Sequence, residues 1–454
     1  MTTYIGTATS RVDGRAKVTG AAKYAAEVNA TGLTHGSVVT STIANGRVAR
    51  IDVSDALRVD GVIDVLTHRN RPRMAEVDSA YKDDTAPEGS PFRPLYDDRI
   101  LFNGQPIALV VAEQPEIAQF AASLVRVDYD QETHVTDVYR RRDEASALAP
   151  VKPAENPFAP PKPRGTAEKA FADAEVRHEG EYYVPIEHHN PMELYASTVI
   201  FEGDGKLTIF DKTQGVQNVQ RYVCSVLDIE PHLVRVMSPF MGGGFGSGLR
   251  PQFQVVLGAL AALALKRSVR VVLTRQQMYG LGYRPAMIQR IELGAKAGGT
   301  LEAITHDAIT VTSQYEDFYR QETGWSGLLY KCANAKYAHK LARLDLQRRA
   351  TCAVRAPRPA SMRSNARWTS LRWRSSSIHS SSACGAIRIV TRTPTGPTAA
   401  RACANATGKG RKRSAGTSAI PSRARCATAA SWRAGAWRPA SGKQCKCRSR
   451  CASC

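Results

Sequence analysis

The alternation of hydrophobic and polar positions predicts a chain that mixes strands with helices. Runs rich in β-branched and aromatic residues, bounded by turn residues, predict strands, and longer apolar stretches at helical spacing predict helices. Helices are predicted at 54–58, 115–124, 216–227 and 253–265. Strands are predicted at 36–43, 50–53, 62–66, 107–112, 125–129, 176–184, 195–201, 206–211, 233–237, 268–273, 288–295 and 304–312. The fold class expected is α/β (α+β), with a strand–helix–strand, βαβ-like unit at 107–129 and a mixed sheet completed by the last three strands.

A proline-rich segment at 136–166 predicts a linker between two domains, 17–135 and 167–346, after an N-terminal segment 1–16. The N-terminal segment has no apolar core typical of an export signal, and no apolar run reaches membrane-spanning length. We therefore expect a cytoplasmic protein without membrane association, with periplasmic co-export on a partner as the alternative.

The formal charge of +21 would suggest a nucleic-acid-binding protein, but the charge is confined to one end of the chain. Residues 347–454 contain 23 Lys and Arg, no Asp or Glu, 8 of the 10 Cys and 4 of the 5 Trp. Residues 1–346 hold 39 basic and 41 acidic residues, which is typical of an ordinary globular chain. The binding of nucleic acid is therefore not expected from the body of the protein.

Three interpretations of segment 347–454 are open: a disordered basic arm, a cysteine-rich metal module, or a GC-rich gene translated out of frame. The codons of Trp368 and Thr369, moved by one base, must encode Asp, and those of Thr351 and Cys352 can encode Met. The restored text can continue as Met-Arg-Gly-Pro-Gly and, later, Asp-Pro-Leu-Glu-Phe-Arg. Because acidic residues and helical periodicity return, we favour a frameshift after about residue 346 and a non-native, disordered tail.

A glycine-rich loop, Met241 to Gly248, lies between a predicted strand and a predicted helix. Glycine allows backbone angles forbidden to other residues and close approach of a ligand, and a helix N-terminus attracts anions. The spacing matches neither a dinucleotide fingerprint nor a P-loop, so a plain tight turn is the alternative. Gln214 ends a strand, where its amide could donate to a cofactor, whereas Cys224 falls on an apolar helix stripe and is expected in the core.

Several ordered motifs make residues 8–346 resemble the molybdopterin-binding large subunit of the xanthine dehydrogenase/aldehyde oxidoreductase family. The motifs are Asp13 to Gly20, Gly104 to Ala108, His188 to Glu193, Thr213-Gln214, Met241 to Gly246 and Thr274 to Met278. The resemblance implies an N-terminal α/β hammerhead domain followed by the first, partial half of a molybdenum-cofactor-binding domain. It also implies a molybdopterin cofactor, with or without a cytosine dinucleotide. Iron–sulfur clusters and FAD would lie on partner subunits, a small Fe–S subunit and a medium FAD-binding subunit.

The resemblance assigns site residues one by one. Gln214 matches the glutamine that hydrogen-bonds a molybdenum oxo ligand, and Gly243, Gly244, Phe245 and Gly246 match the loop whose amides face the cofactor. No protein metal ligand is expected, since the pterin dithiolene holds the metal in this family.

Two departures from the family pattern bear on substrate and activity. Leu249 occupies the position of the Glu that purine-oxidising members use for substrate, so an aldehyde substrate, aromatic aldehydes foremost, is expected rather than xanthine. The family's general-base Glu lies in the C-terminal region, yet residues 347–454 contain no Glu, so the chain as it stands is expected to be inactive. A purine dehydrogenase subunit and a basic-tailed nucleic-acid-binding protein are the alternatives.

Overall fold

The computed structural model describes residues 6–76, 92–147, 162–316 and 323–349. The strands are β1 Thr34–Thr40, β2 Gly46–Asp52, β3 Val62–Thr67, β4 Arg99–Ile100, β5 Pro106–Ala112, β6 Arg126–Gln131, β7 Ser146–Ala147, β8 Val176–Val184, β9 Ala196–Phe201, β10 Leu207–Asp211, β11 Val234–Met237, β12 Val269–Val272, β13 Met287–Ala295, β14 Leu301–Ser313 and β15 Asn334–Leu344. The α-helices are α1 Gly14–Val18, α2 Ser54–Leu57, α3 Pro115–Leu124, α4 Ala167–Ala172, α5 Val216–Leu227, α6 Phe253–Leu265 and α7 Gly324–Leu329. Short 3-10 turns lie at Ala25–Glu27, Val138–Arg141, Pro231–Leu233 and Gln277–Gly280.

The described strands form three sheets. The largest has the order β11-β10-β9-β12-β1-β5-β3, the second β7-β15-β14-β13-β8, and the third β4-β2-β6. Three neighbouring pairs are parallel, β10 with β11, β1 with β12 and β14 with β15, and the others are antiparallel. The predicted mixed α/β (α+β) class is confirmed.

The strand, helix and strand of the predicted βαβ-like unit all form, but the two strands do not lie in the same sheet. β5 pairs antiparallel with β1 and β3, whereas β6, beyond α3, pairs with β2 in the three-stranded sheet. Every residue of β5 is buried, while β6 alternates between exposed and half-buried positions. A strand apolar throughout suits the interior of a large sheet, and a one-sided strand suits an outer sheet.

The two predicted domains share the seven-stranded sheet. β1, from the first, runs parallel to β12, from the second, with Thr34 opposite Val269. The buried Thr34 hydroxyl donates to the Ser268 carbonyl at 2.9 Å, which fixes this register. A Cβ at Gly36 would lie 2.9 Å from Val271, so glycine permits the close approach. The sheet therefore continues across the predicted linker, of which residues 148–161 lie outside the described part of the chain.

The last three predicted strands were expected to complete one mixed sheet, but in the structure they belong to two different sheets. β12 joins the seven-stranded sheet, whereas β13 and β14 pair with each other in the five-stranded sheet, flanked by β8 and β15. β13 and β14 form an antiparallel hairpin around Thr300, so their short connection keeps them together and apart from β12.

Helices α5 and α6 have the predicted bounds and cover the core of the large sheet. Residues 253–262 of α6 are all buried, which explains why this segment is apolar on every side. α5 is amphipathic, and Cys224 is buried on its inner face, where burial raises the pKa of its thiol to about 11. The expectation of a core cysteine is confirmed.

The predicted break at residue 347 falls inside packed structure. Gln347, Arg348 and Arg349 are buried, and the Arg348 amide donates to the Tyr315 hydroxyl at 3.0 Å. Packed structure therefore includes the first three residues of the predicted tail, and its remainder, 350–454, lies outside the described residues. Within the described ranges, no helix combines the length and apolarity needed to cross a membrane.

Candidate functional site

One edge of the seven-stranded sheet gathers the motifs that were separate in sequence. Gln214 follows the carboxyl end of β10, and the Gly loop, which we define as residues 242–249, follows the carboxyl end of β11. Because β10 and β11 are parallel neighbours, these two segments must meet at one edge. β9 runs antiparallel to β10 and β12, so the 188–193 motif before β9 and the 274–278 motif after β12 reach the same edge.

Gln214 is fastened to the Gly loop through its side-chain oxygen. Its Oε1 accepts the N–H groups of Gly246 at 2.9 Å and Gly248 at 3.2 Å. Backbone N–H groups only donate, so the oxygen must face the loop and the amide NH₂ must face away from it. The side chain is exposed, and its NH₂ has no acceptor among the described residues. The predicted role of Gln214 as an outward donor is compatible with this orientation.

The Gly loop has a backbone path that glycine makes possible at two positions. Gly243 has φ +114° and Gly246 has φ +95°, both in the left-handed range that favours glycine. Phe245 also has φ +53°, which is uncommon for a residue with a side chain. Two successive turns follow, from the Ser247 amide to the Gly244 carbonyl and from the Leu249 amide to the Gly246 carbonyl.

Three consecutive amides of the Gly loop are left as donors. The N–H groups of Gly243, Gly244 and Phe245 have no acceptor within the described part of the chain, whereas Gly246 donates inward to Gln214. The loop ends before α6 begins at Phe253, so its donors stand apart from the helix N-terminus that the sequence suggested. With the Gln214 NH₂, they present a donor set that suits oxygen atoms of an anionic group. The residues therefore fit a molybdenum–pterin cofactor, whose oxo and phosphate oxygens are acceptors.

The loop is also tied down by side chains whose role the sequence did not indicate. Asn218 donates to the Leu249 carbonyl at 3.0 Å, and Gln252 donates to the Ser247 carbonyl at 2.9 Å. Glu193 accepts the Gly242 amide at 2.6 Å, and Tyr195 bonds the Ser247 hydroxyl at 2.6 Å. In the sequence, Glu193 stood out only as the last residue of the His188 to Glu193 motif.

Arg275, from the 274–278 motif, holds the neighbouring 188–193 segment. Its guanidinium donates to the Asn190 side chain at 2.8 Å and to the Met192 carbonyl at 2.7 Å. The His188 ring lies 5.1 Å from the Tyr279 ring, centroid to centroid. These contacts fix the segment that carries Glu193.

Apolar side chains lie exposed at the same edge. Leu249, the predicted substrate-pocket residue, is 38% exposed at the end of the Gly loop, and Phe245 is 58% exposed. Met192 is 85% exposed on the adjacent segment. No carboxylate stands at position 249, so the surface beside the donor set is apolar at this point.

Comparison with known families matches two models to this chain. A model described as aldehyde oxidase and xanthine dehydrogenase, a/b hammerhead domain, matches residues 19–133, and a model described as molybdopterin cofactor-binding domain matches residues 151–358. The chain thus has a hammerhead domain followed by part of a molybdenum-cofactor-binding domain, and it belongs to the xanthine dehydrogenase/aldehyde oxidoreductase family of molybdenum-binding subunits.

Individual relatives agree with the family. The aldehyde oxidoreductase molybdenum-binding subunit PaoC of Escherichia coli is 34% identical over 351 residues, covering 75% of this chain and 44% of the relative. The aldehyde oxidoreductase of Megalodesulfovibrio gigas is 30% identical over 314 residues, covering 67% of this chain and 34% of the relative. The solved aldehyde oxidoreductase from Desulfovibrio gigas superposes with a TM-score of 0.64 at 25% identity, covering 75% of this chain and 39% of that one. The chain therefore spans less than half the length of these relatives.

Proposed function

We propose that this chain acts as the large subunit of a molybdenum hydroxylase that oxidises aldehydes, aromatic ones foremost, to carboxylic acids. The observation that carries the proposal is the Gln214 amide, whose NH₂ is turned outward beside three free amides of the Gly loop. Gln214 would hold an oxygen on the metal, and the amides of Gly243, Gly244 and Phe245 would hold further cofactor oxygens. When bound, the cofactor, in its cytosine dinucleotide form or without the nucleotide, supplies the two-electron oxidant for the substrate C–H bond.

Leu249 supports an aldehyde rather than a purine. A leucine can neither accept nor donate a hydrogen bond, so it would leave the polar edge of a purine unpaired. Exposed Phe245 and Met192 add apolar surface that suits an aromatic ring. The names of the relatives from E. coli and M. gigas, both aldehyde oxidoreductases, point the same way. The chain's own part in the reaction is to hold the cofactor and to orient the substrate.

Electron transfer requires partners in this proposal. We assign the iron–sulfur clusters and FAD to separate small and medium subunits, as the resemblance implies. The supporting feature on this chain is that its described residues account only for hammerhead and cofactor-binding parts.

We further propose that the end of the chain is translated out of frame. The absence of Asp and Glu from 347–454 supports this, and so do the acidic residues that return when the codons from 351 onward are read in the shifted frame. Without a Glu in that region the chain has no candidate general base there, so we expect no turnover from it. Sequencing the gene across codons 340–370 tests the shift directly.

The function is tested by expressing the chain as printed and in the restored frame, each with Fe–S and FAD-binding subunits. Molybdenum per chain is measured by mass spectrometry. Turnover of benzaldehyde and of xanthine is measured with an artificial electron acceptor. We expect molybdenum and benzaldehyde oxidation in the restored protein alone. Efficient xanthine turnover would contradict the substrate assignment, and a restored protein that takes up no molybdenum would contradict the cofactor assignment.

A further inference from the structure

A buried lysine, Lys212, lies close to two side chains that bond to the Gly loop, Tyr195 and Glu193. The Lys212 side chain is 1% exposed, and its Nζ finds no acceptor among the described residues. Removing a cation from water is costly unless other charges or dipoles offset it. The Tyr195 ring offers one such contact, because Nζ lies 3.6 Å from its centroid, within cation–π range.

The charged groups around Lys212 are two carboxylates and one guanidinium. Glu193 and Asp211 favour the ammonium form, Arg275 opposes it, and burial lowers the pKa of Lys212 to about 8. Oδ1 of Asp211 accepts the Ser197 hydroxyl at 2.5 Å and the Gln254 amide at 3.2 Å. Glu193 is the second carboxylate whose charge favours the ammonium form of Lys212.

Glu193 divides its two oxygens between the loop and the interior. Its Oε2 accepts the Gly242 amide at 2.6 Å, while its Oε1 is buried and has no donor within the described chain. A Cβ at Gly242 would lie 2.9 Å from the Glu193 Cβ, so the approach depends on glycine. An unpaired cation and an unpaired carboxylate oxygen thus occupy the same interior, below the first residue of the Gly loop.

Tyr195 connects the same lysine to the middle of the loop. The Ser247 hydroxyl donates to the Gly244 carbonyl at 2.7 Å, so the Tyr195 hydroxyl must be the donor in its 2.6 Å bond to Ser247. The ring that carries this hydroxyl is the ring that faces Lys212. The Lys212 ammonium group therefore contacts the Tyr195 ring and attracts the Glu193 carboxylate, and both of these side chains bond to the Gly loop.

We infer that Lys212 is a positioning residue for the Gly loop. Its charge favours the carboxylate form of Glu193 that accepts the Gly242 amide, and it holds the Tyr195 ring in place, so that the amides of residues 243–245 stay turned outward. The inference rests on the proposed function only for the identity of the ligand that the loop binds, namely the molybdenum cofactor.

The test compares Lys212→Met with Lys206→Met in the full chain purified without cofactor. Lys206 is exposed in the turn region between β9 and β10, and it provides a matched loss of one lysine. Hydrogen–deuterium exchange of peptides covering residues 242–249 is the readout. We expect exchange in Lys212→Met to rise at least tenfold, with a lower thermal midpoint because the Glu193 carboxylate loses the cation that offsets its charge. Lys206→Met should match the wild type in both measurements.

A double-substitution cycle separates a positioning role from simple packing. Glu193→Gln should loosen the loop at Gly242, and adding Lys212→Met to it should change exchange at Gly242 little further, because both act there through the attraction between the two charges. Additive effects, or wild-type loop exchange in Lys212→Met, would overturn the inference. If Lys212→Met does not fold, Lys212→Gln takes its place, with the same two outcomes.

Tyr195→Phe gives an independent check, because it keeps the ring and removes the hydroxyl. Exchange should then rise around Ser247 while the Gly242 amide stays protected, and a uniform change over the whole loop would contradict the division of roles. Molybdenum content, measured in the restored-frame protein, distinguishes this inference from the proposed function. A loosened loop in a protein that never binds molybdenum leaves Lys212 as a positioning residue and refutes the cofactor assignment.

Discussion

Gly244→Ala is the smallest change that should displace Gln214 from its place beside the Gly loop. A Cβ at position 244 would lie 2.6 Å from the Gln214 Oε1 and 2.8 Å from its Cδ, closer than real contacts allow. Gly244 itself has no left-handed backbone angle, so alanine adds no strain of its own. The substitution therefore acts through the side chain of Gln214.

The magnitude follows from the hydrogen bonds that Gln214 would lose. Moving Oε1 breaks its bonds with the Gly246 and Gly248 amides. At about 1 kcal/mol for each hydrogen bond, the position of Gln214 seen in the structure is destabilised by about 2 kcal/mol. That free energy corresponds to roughly 30-fold weaker retention of a ligand held by the Gln214 amide.

The assay measures molybdenum per chain after dialysis and the rate of benzaldehyde oxidation, in the restored-frame protein. Gly298→Ala serves as the control, because a Cβ there meets nothing within 4 Å. The thermal midpoint should fall in Gly244→Ala, because the folded state loses the two hydrogen bonds of Gln214, and it should stay unchanged in Gly298→Ala. Adding Gln214→Ala to Gly244→Ala should cost no more than Gln214→Ala alone, since the affected side chain is then absent. Full molybdenum and full rate in Gly244→Ala, or a strictly additive double variant, would refute the argument.

Three further outcomes are expected. Leu249→Glu should keep its molybdenum while slowing benzaldehyde oxidation about tenfold or more, since it places a charge on an apolar contact; loss of molybdenum would show that position 249 serves the cofactor. Burial raises the pKa of Asp211 from 3.8 to about 6, so the folded state binds the proton more tightly. Stability, relative to Asp211→Asn, should therefore fall by on the order of 2–3 kcal/mol as pH rises from 4 to 6, measured by urea unfolding. Glu316→Gln should lower the free energy of unfolding by about 3 kcal/mol, because Arg250, 2% exposed and 2.7 Å from Glu316, would keep its charge in the interior without the carboxylate; a midpoint equal to the wild type would contradict this.

Local patterns were sufficient to place the two helices beside the site. The bounds of α5 and α6 follow from their apolar spacing. These features depend on neighbours within a few positions, which is the range that periodicity samples.

Strand partners could not be obtained in the same way, because pairing joins residues far apart in sequence. β1 and β12 are separated by more than two hundred residues, and nothing in either strand specifies the other. β15 was missed altogether, since lysine, histidine and arginine interrupt its apolar positions. In the structure these polar residues belong to a strand that pairs with β14 and, at two residues, with β7.

The candidate site likewise has features that the sequence could predict and features that depend on pairing and packing. Gln214 and the Gly loop were brought together by resemblance to a family, not by their spacing, and the parallel pairing of β10 with β11 now gives the physical reason. Lys212 left a signal that could have been used: a charged pair, Asp211-Lys212, ends an otherwise apolar strand. A lysine in that position is either solvated or held by partners, and only the packing around it distinguishes the two.

The conformation of the Gly loop argues that it is more than a turn. Phe245 adopts a left-handed backbone at a cost of about 1–2 kcal/mol, and its ring is 58% exposed, so burial does not compensate for that cost. A turn without further purpose would be served better by glycine or asparagine there. The loop nevertheless keeps this geometry, because side chains from surrounding segments fasten it at Gly242, Ser247 and Leu249. Strain that the surroundings hold in place, beside donors left without acceptors, is typical of a loop shaped to meet a ligand.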